Sequence, residues 1–168
     1  TLVKKLKFFI IILIMNNIEF KNLDLSLVKP LVSFQKKFVD ELNGNIFIEQ
    51  EIIRNLNSKH FYSHLCLANN LVSGFIIAQR VLNIFEIYSL FVAPDSRRVG
   101  IAMTLLNDLI KMCKKQRIEK ILLEVMEINK AAKNLYLKND FEIYAERKNY
   151  YKQEDKKINA KLMRLRLR

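Results

Sequence analysis

Leu90-Phe91-Val92-Ala93-Pro94-Asp95-Ser96-Arg97-Arg98-Val99-Gly100-Ile101-Ala102-Met103 decides how the chain is read. An apolar run ends before Pro94, and a short charged turn follows. Beyond Gly100, Ala102, Leu105, Leu106, Leu109 and Cys113 recur at helical spacing on one face. A strand therefore delivers the backbone into a loop that opens a helix over residues 100–115. The start of such a helix has amides without an intrahelical acceptor and the positive end of a dipole, which suits a phosphate or pyrophosphate. Gly100 lets the backbone approach an anion with no Cβ in the way, and the small Ala102 nearly does the same. Taken alone, Arg97-Arg98-Val99-Gly100 is equally a charged surface turn.

The chain beyond this helix adds chemistry. Lys120 to Val125 reads as a strand, with Glu124 between Leu123 and Val125. Alternation along a strand leaves two readings: a carboxyl on the covered face, its pKa raised by desolvation, or one turned to solvent. Asn129 to Asn139 reads as a helix with Asn129 as its N-cap, and Ala132 and Tyr136 share one face a turn apart. Glu124 and Tyr136, twelve residues apart, form a candidate proton acceptor and donor. Glu86, in the preceding strand, is a second acid for the same role.

These motifs resemble the acetyl-CoA-dependent N-acetyltransferase (GNAT) superfamily: R-x-x-G-x-A after one strand, then N-x-x-A-x-x-x-Y after the next. The Glu124/Tyr136 spacing and Arg147-Lys148-Asn149-Tyr150-Tyr151 resemble its RimI branch, which acetylates the N-terminal alanine of a small-subunit ribosomal protein. The likeness runs from about Val72 to Leu165. It implies a mixed α/β domain of the GNAT acyl-CoA N-acyltransferase fold, with a mostly antiparallel twisted sheet and helices on both faces. By resemblance, Leu90, Phe91 and Val92 offer backbone groups to the pantetheine arm, where their strand splays from the one around Glu124. Arg98, Val99, Gly100, Ile101, Ala102 and Met103 cradle the pyrophosphate, and Asn129 bonds CoA. Glu124 is then the base and Tyr136 the acid, while Arg147, Tyr150 and Tyr151, between two closing strands, line the acceptor site. The implied acceptor is the N-terminal peptide of a ribosomal protein, and the implied compartment is the cytoplasm. Rival readings are a lysine or small-amine acetyltransferase of the same fold, and a non-catalytic RNA- or ribosome-binding protein. Three positions depart from the family pattern: Asp140 stands where Gly is common, and Lys152 and Lys156 where Pro and Gly are.

The remaining sequence sets the frame. At 168 residues the chain is long enough for one domain with a full core. Lys and Arg number 29 against 17 Asp and Glu, a net charge of +12 that fits proximity to a ribosome or RNA but forms no single long block. Cys66 and Cys113 lack metal-ligand spacing, and His60 and His64 lack a third ligand, so no metal is expected. Expected elements are a strand at Ile18 to Phe20, helices from Pro30 to Leu42 and Ile48 to Leu56, and a hairpin of His60 to Ala68 and Leu71 to Arg80. Strands from Ile84 to Val92, Phe141 to Arg147 and Ile158 to Leu167 complete them. Behind Lys4, Lys5 and Lys7, the apolar run Phe8 to Met15 is too short for a stable membrane span of ~20 residues. Three readings of it stand: translation starting at Met15 with 1–14 as upstream extension, a membrane-surface anchor, or a signal peptide. The first is preferred, which makes 15–168 a single catalytic domain. Oligomeric state stays open.

Overall fold

The computed structural model describes residues 17–153 and 156–167, so the apolar segment and Met15 lie outside the described residues. Seven strands form a sheet in the order β1-β2-β3-β4-β5-β7-β6: β1 (Ile18–Asn22), β2 (Phe61–Ala68), β3 (Leu71–Val81), β4 (Ile84–Val92), β5 (Lys120–Met126), β6 (Glu142–Gln153) and β7 (Lys156–Arg166). The helices among the described residues are α1 (Leu25–Lys37), α2 (Glu49–Asn55), α3 (Ile101–Lys115) and α4 (Lys130–Leu137). The described residues up to Ile77 together with Ser89–Asp108 form one compact unit, and Ala78–Tyr88 with the described residues from Leu109 onward form another.

In the first unit, β1 and β2 pair antiparallel from Ile18↔Ala68 to Asn22↔His64. Asn69 and Asn70 turn β2 into β3 with φ of 52° and 63°, the left-handed region that asparagine tolerates. The first helix begins earlier than expected. Asp24 caps it, its Oδ1 accepting from the amides of Ser26 at 2.8 Å and Leu27 at 3.3 Å. Pro30 therefore lies inside α1 instead of opening it. The helix ends at Lys37, and turns carry the chain through Asn43 and Gly44, both at positive φ. Val28, Leu31 and Phe34 of α1, with Ile52 of α2, bury against Leu65, Phe75, Ile77 and Phe91. The Phe34 ring meets Phe75 and Phe91 edge-on at 6.1 and 5.9 Å.

In the second unit, β4 pairs parallel with β5 over Ile84↔Lys120 to Ile87↔Leu123. β7 pairs antiparallel with β5 over its whole length, from Lys120↔Arg166 to Met126↔Ala160, and β6 adds outside β7. Ile121, Leu123, Val125, Met163 and Leu165 are buried on one face of these strands. Glu86, Leu122, Glu124 and Leu162 alternate onto the other. β6 runs to Gln153, so Arg147, Tyr150 and Tyr151 are on a strand, not between two strands as expected. The turn after α4 accepts Asp140 at φ 62°, with the Phe141 amide donating to Tyr136 O at 3.1 Å, so the left-handed cap forms without glycine.

Candidate active site

The candidate anion-binding motif lies in the first unit. Phe91 and Val92 are buried at the end of β4 and Leu90 is half-buried. Arg97 folds back on them: its Nε donates to Val92 O at 2.9 Å and its guanidinium lies 5.5 Å from the Phe91 ring centre. Arg97 thus braces the turn, and both Arg97 and Arg98 are exposed. Arg98 and Gly100 both have positive φ, 70° and 89°. A Cβ placed on Gly100 would meet nothing within 4 Å. Two demands therefore fall on Gly100, a left-handed backbone and open space beside it, and only the second was legible in the sequence. α3 begins at the next residue, with Thr104 N–H donating to Gly100 O at 3.0 Å as the first bond of the helix. Ile101 is buried, while Val99, Ala102 and Met103 are half-buried. A helix start facing open space beside a glycine fits a pyrophosphate.

The candidate acid–base residues lie in the second unit. Glu124 projects from β5 with 19% of its side chain exposed, and Arg147 of β6 reaches it, Nη1 to Oε1 at 2.8 Å. The sequence offered a carboxyl among apolar neighbours or one in solvent; the fold gives it an arginine. The Arg147 guanidinium also lies 5.1 Å from the Tyr150 ring centre, and Tyr150 meets Tyr151 edge-on at 5.0 Å. Glu86, half-buried on β4, feels the same cluster. Burial raises its pKa, the charge of Glu124 raises it further, and Arg147 opposes both. Tyr151 is pushed up to about 12 by burial, with Glu124 and Tyr150 adding to the shift and Arg147 opposing it. Tyr88, two residues after Glu86 and so on the same strand face, is raised by burial and by Glu86. Sequence reading missed Tyr88 in this cluster, although that spacing was the signal for it.

Tyr136 is buried on α4 and packs on Phe141 with ring centres 5.4 Å apart. Burial drives its phenol well up, and Tyr151 adds to the shift, so the hydroxyl keeps its proton at neutral pH. Asn129 caps α4, its Oδ1 accepting from Ala132 N–H at 3.0 Å. Cys66 and Cys113 are buried free thiols, and burial pushes Cys113 up to about 12. No group of metal-ligating side chains occurs among the described residues. No helix among them is long and apolar enough to cross a membrane.

The family model for the acetyltransferase (GNAT) family matches residues 25–141. The chain belongs to this family. It is 31% identical over 99 residues to the [ribosomal protein bS18]-alanine N-acetyltransferase of Haemophilus influenzae, an alignment covering 59% of this chain and 67% of that protein. The match thus spans about two thirds of that curated relative. The crystal structure of the ribosomal-protein-S18-alanine N-acetyltransferase from Escherichia coli superposes with a TM-score of 0.76 at 24% identity, covering 89% of this chain and 94% of that one. Arabidopsis thaliana NAA60, solved in complex with acetyl-CoA, superposes with a TM-score of 0.75 at 19% identity, covering 89% of this chain and 98% of that one. These superpositions share the GNAT acetyltransferase fold.

Proposed function

We propose that this GNAT-family chain transfers the acetyl group of acetyl-CoA to the α-amine of a protein N-terminus, with the N-terminal alanine of ribosomal protein bS18 as acceptor. The observation that carries the reading is the Glu124–Arg147 pair capped by Tyr150 and Tyr151, with Glu86 beside it. Two carboxyls, one guanidinium and two phenols make a site that draws in an ammonium group and can take its proton. The likeness to the Haemophilus influenzae enzyme supports the acceptor, and the net charge of +12 suits approach to a ribosome in the cytoplasm.

An α-amine has a pKa near ~8, so most of it is protonated at neutral pH and must lose a proton before it attacks. Glu124 takes that proton, directly or through water, and Glu86 is the second acceptor on the same face. Acetyl-CoA supplies the thioester carbonyl that the amine attacks and a thiolate that departs as the new amide forms. Tyr136, buried and protonated, gives its proton to the departing sulfur, and the second proton that the nitrogen sheds as the amide forms restores the Tyr136 hydroxyl. The backbone of Leu90, Phe91 and Val92 and the turn from Arg98 to Met103 hold the pantetheine and pyrophosphate, with Asn129 as a further CoA contact. Tyr150, Tyr151 and Arg147 hold the acceptor's backbone.

The test uses two peptides and mass spectrometry. A peptide beginning Ala-Arg gains one acetyl group on its α-amine. The same peptide with a blocked N-terminus and an internal lysine does not, because a lysine near ~10.4 gives up its proton far less readily. Comparable acetylation of the blocked peptide sinks the N-terminal reading and promotes the lysine one.

A further inference from the structure

β6 breaks the alternation rule at the residues that matter. Regular pairing sends successive side chains to opposite faces, so Arg147 and Tyr150, three apart, belong on opposite sides of the strand. Instead the Arg147 guanidinium lies 5.1 Å from the Tyr150 ring centre. The register explains how. Arg147 pairs with Ala160 and Tyr151 with Ile158, so three β6 residues face the single β7 residue Asn159. This bulge of more than one extra residue turns at Asn149, whose φ is 55°. It is held from within: Asn149 N–H donates to Asn159 Oδ1 at 2.9 Å, and Asn159 Nδ2 donates to Glu146 Oε1 at 3.0 Å. One side chain thus clamps both flanks of Arg147.

We propose that Asn159 is a positioning residue for the acceptor site: by clamping the β6 bulge it re-aims Tyr150 to the side of Arg147 and sets Arg147 on Glu124. The side-chain bonds of Asn159 go to Asn149, Glu146 and Glu127, so its influence on Arg147 and Tyr150 runs through the bulge. The inference rests on the acceptor role given above to Arg147 and Tyr150.

The experiment combines kinetics on the full chain, using acetyl-CoA and the Ala-Arg peptide, with a crystal structure of one variant. Asn159→Ala should raise the peptide KM about tenfold, the mid-range of couplings within one side-chain network, while the acetyl-CoA KM and Tm barely move. Asn159→Asp keeps the acceptor for Asn149 N–H but loses the donor to Glu146 and sets a carboxylate against it, so it should restore the peptide KM only in part. Adding Asn159→Ala to Tyr150→Ala should cost less than the sum of the two, because the clamp then has only Arg147 left to aim. The crystal structure of Asn159→Ala should have Tyr150 and Arg147 parted. An unchanged peptide KM, full additivity with Tyr150→Ala, or an Arg147 still seated on Glu124 and Tyr150 in that crystal structure would overturn the proposal. If the wild-type chain acetylates no N-terminal peptide, the acceptor reading falls, and the crystal structure alone then decides whether Asn159 is the clamp.

Discussion

Gly74 tests how tightly the cofactor strand and helix are packed. It lies in β3, and a Cβ added there would come 3.1 Å from Phe91 O, 3.1 Å from Val92 Cγ2 and 3.2 Å from Ile101 Cγ2. Carbon atoms in ordinary contact sit ~3.5–4.0 Å apart, so all three neighbours must yield by a few tenths of an ångström at once. One of them is a backbone oxygen, which cannot rotate away. Overpacking of this kind costs ~1–3 kcal/mol. Against it, alanine in a strand recovers ~0.5–1 kcal/mol of the conformational entropy that glycine loses. Gly74→Ala should therefore destabilise by up to ~2.5 kcal/mol, which lowers Tm by up to ~10 °C for a chain of this size. The three displaced groups belong to the proposed cradle, so the rise in Tm on adding acetyl-CoA should shrink as well. Differential scanning calorimetry with and without acetyl-CoA reads both quantities. A variant at least as stable as wild type refutes the packing argument. A lower Tm with an undiminished acetyl-CoA rise refutes the link to the cradle.

The remaining predictions concern single groups. Gly100→Ala should cost ~1–2 kcal/mol through its left-handed backbone alone, since its methyl would meet open space; Gly100→Glu should also abolish the acetyl-CoA-induced rise in Tm. Tyr136→Phe should lower kcat by ~10²–10⁴ while leaving acetyl-CoA affinity, measured by calorimetric titration, unchanged. Glu124→Gln should lower kcat more than Glu86→Gln, and the reverse order would transfer the base to Glu86. Glu86 also predicts a pH effect on stability. Its folded pKa is raised, so its favourable contribution is full below the unfolded value and is lost as pH rises through the folded one. Glu86→Gln should therefore gain on wild type in Tm as pH rises above the unfolded carboxyl value of ~4.3; a constant difference would contradict the raised pKa.

Where the sequence was legible, one local chemistry dominated. Asn69-Asn70 sits between two apolar runs, and few conformations other than a tight hairpin suit that pair. Asp140 was suspect for its Cβ, yet the cap formed, because the bonds closing the end of α4 are backbone bonds. The first helix was misread because two start signals competed. Pro30 prefers the first turn of a helix, but Asp24, six residues earlier, satisfies two helix amides with one carboxylate. A capping bond to two donors outweighs the loss of one interior N–H when Val28, Leu31 and Phe34 also bury on the extended helix.

The site was legible as a set of residues and not as an arrangement, for a reason that lies in register. Glu124, Arg147, Tyr150 and Tyr151 were all named from the chain, but their meeting depends on β7 lying between β5 and β6. Glu124 pairs with Leu162, and Arg147 with Ala160, so the ion pair spans a diagonal across three strands. No spacing along the chain encodes that diagonal. Arg147, Tyr150 and Tyr151 looked like a loop because lysines and asparagines interrupt the alternation from Arg147 onward. The interruption was real, and the structure resolves it as a bulge within a strand that continues to Gln153. An irregular pattern beside a regular strand is therefore ambiguous between a loop and a bulge. The partner strand decides, and here it does so through the side chain of Asn159.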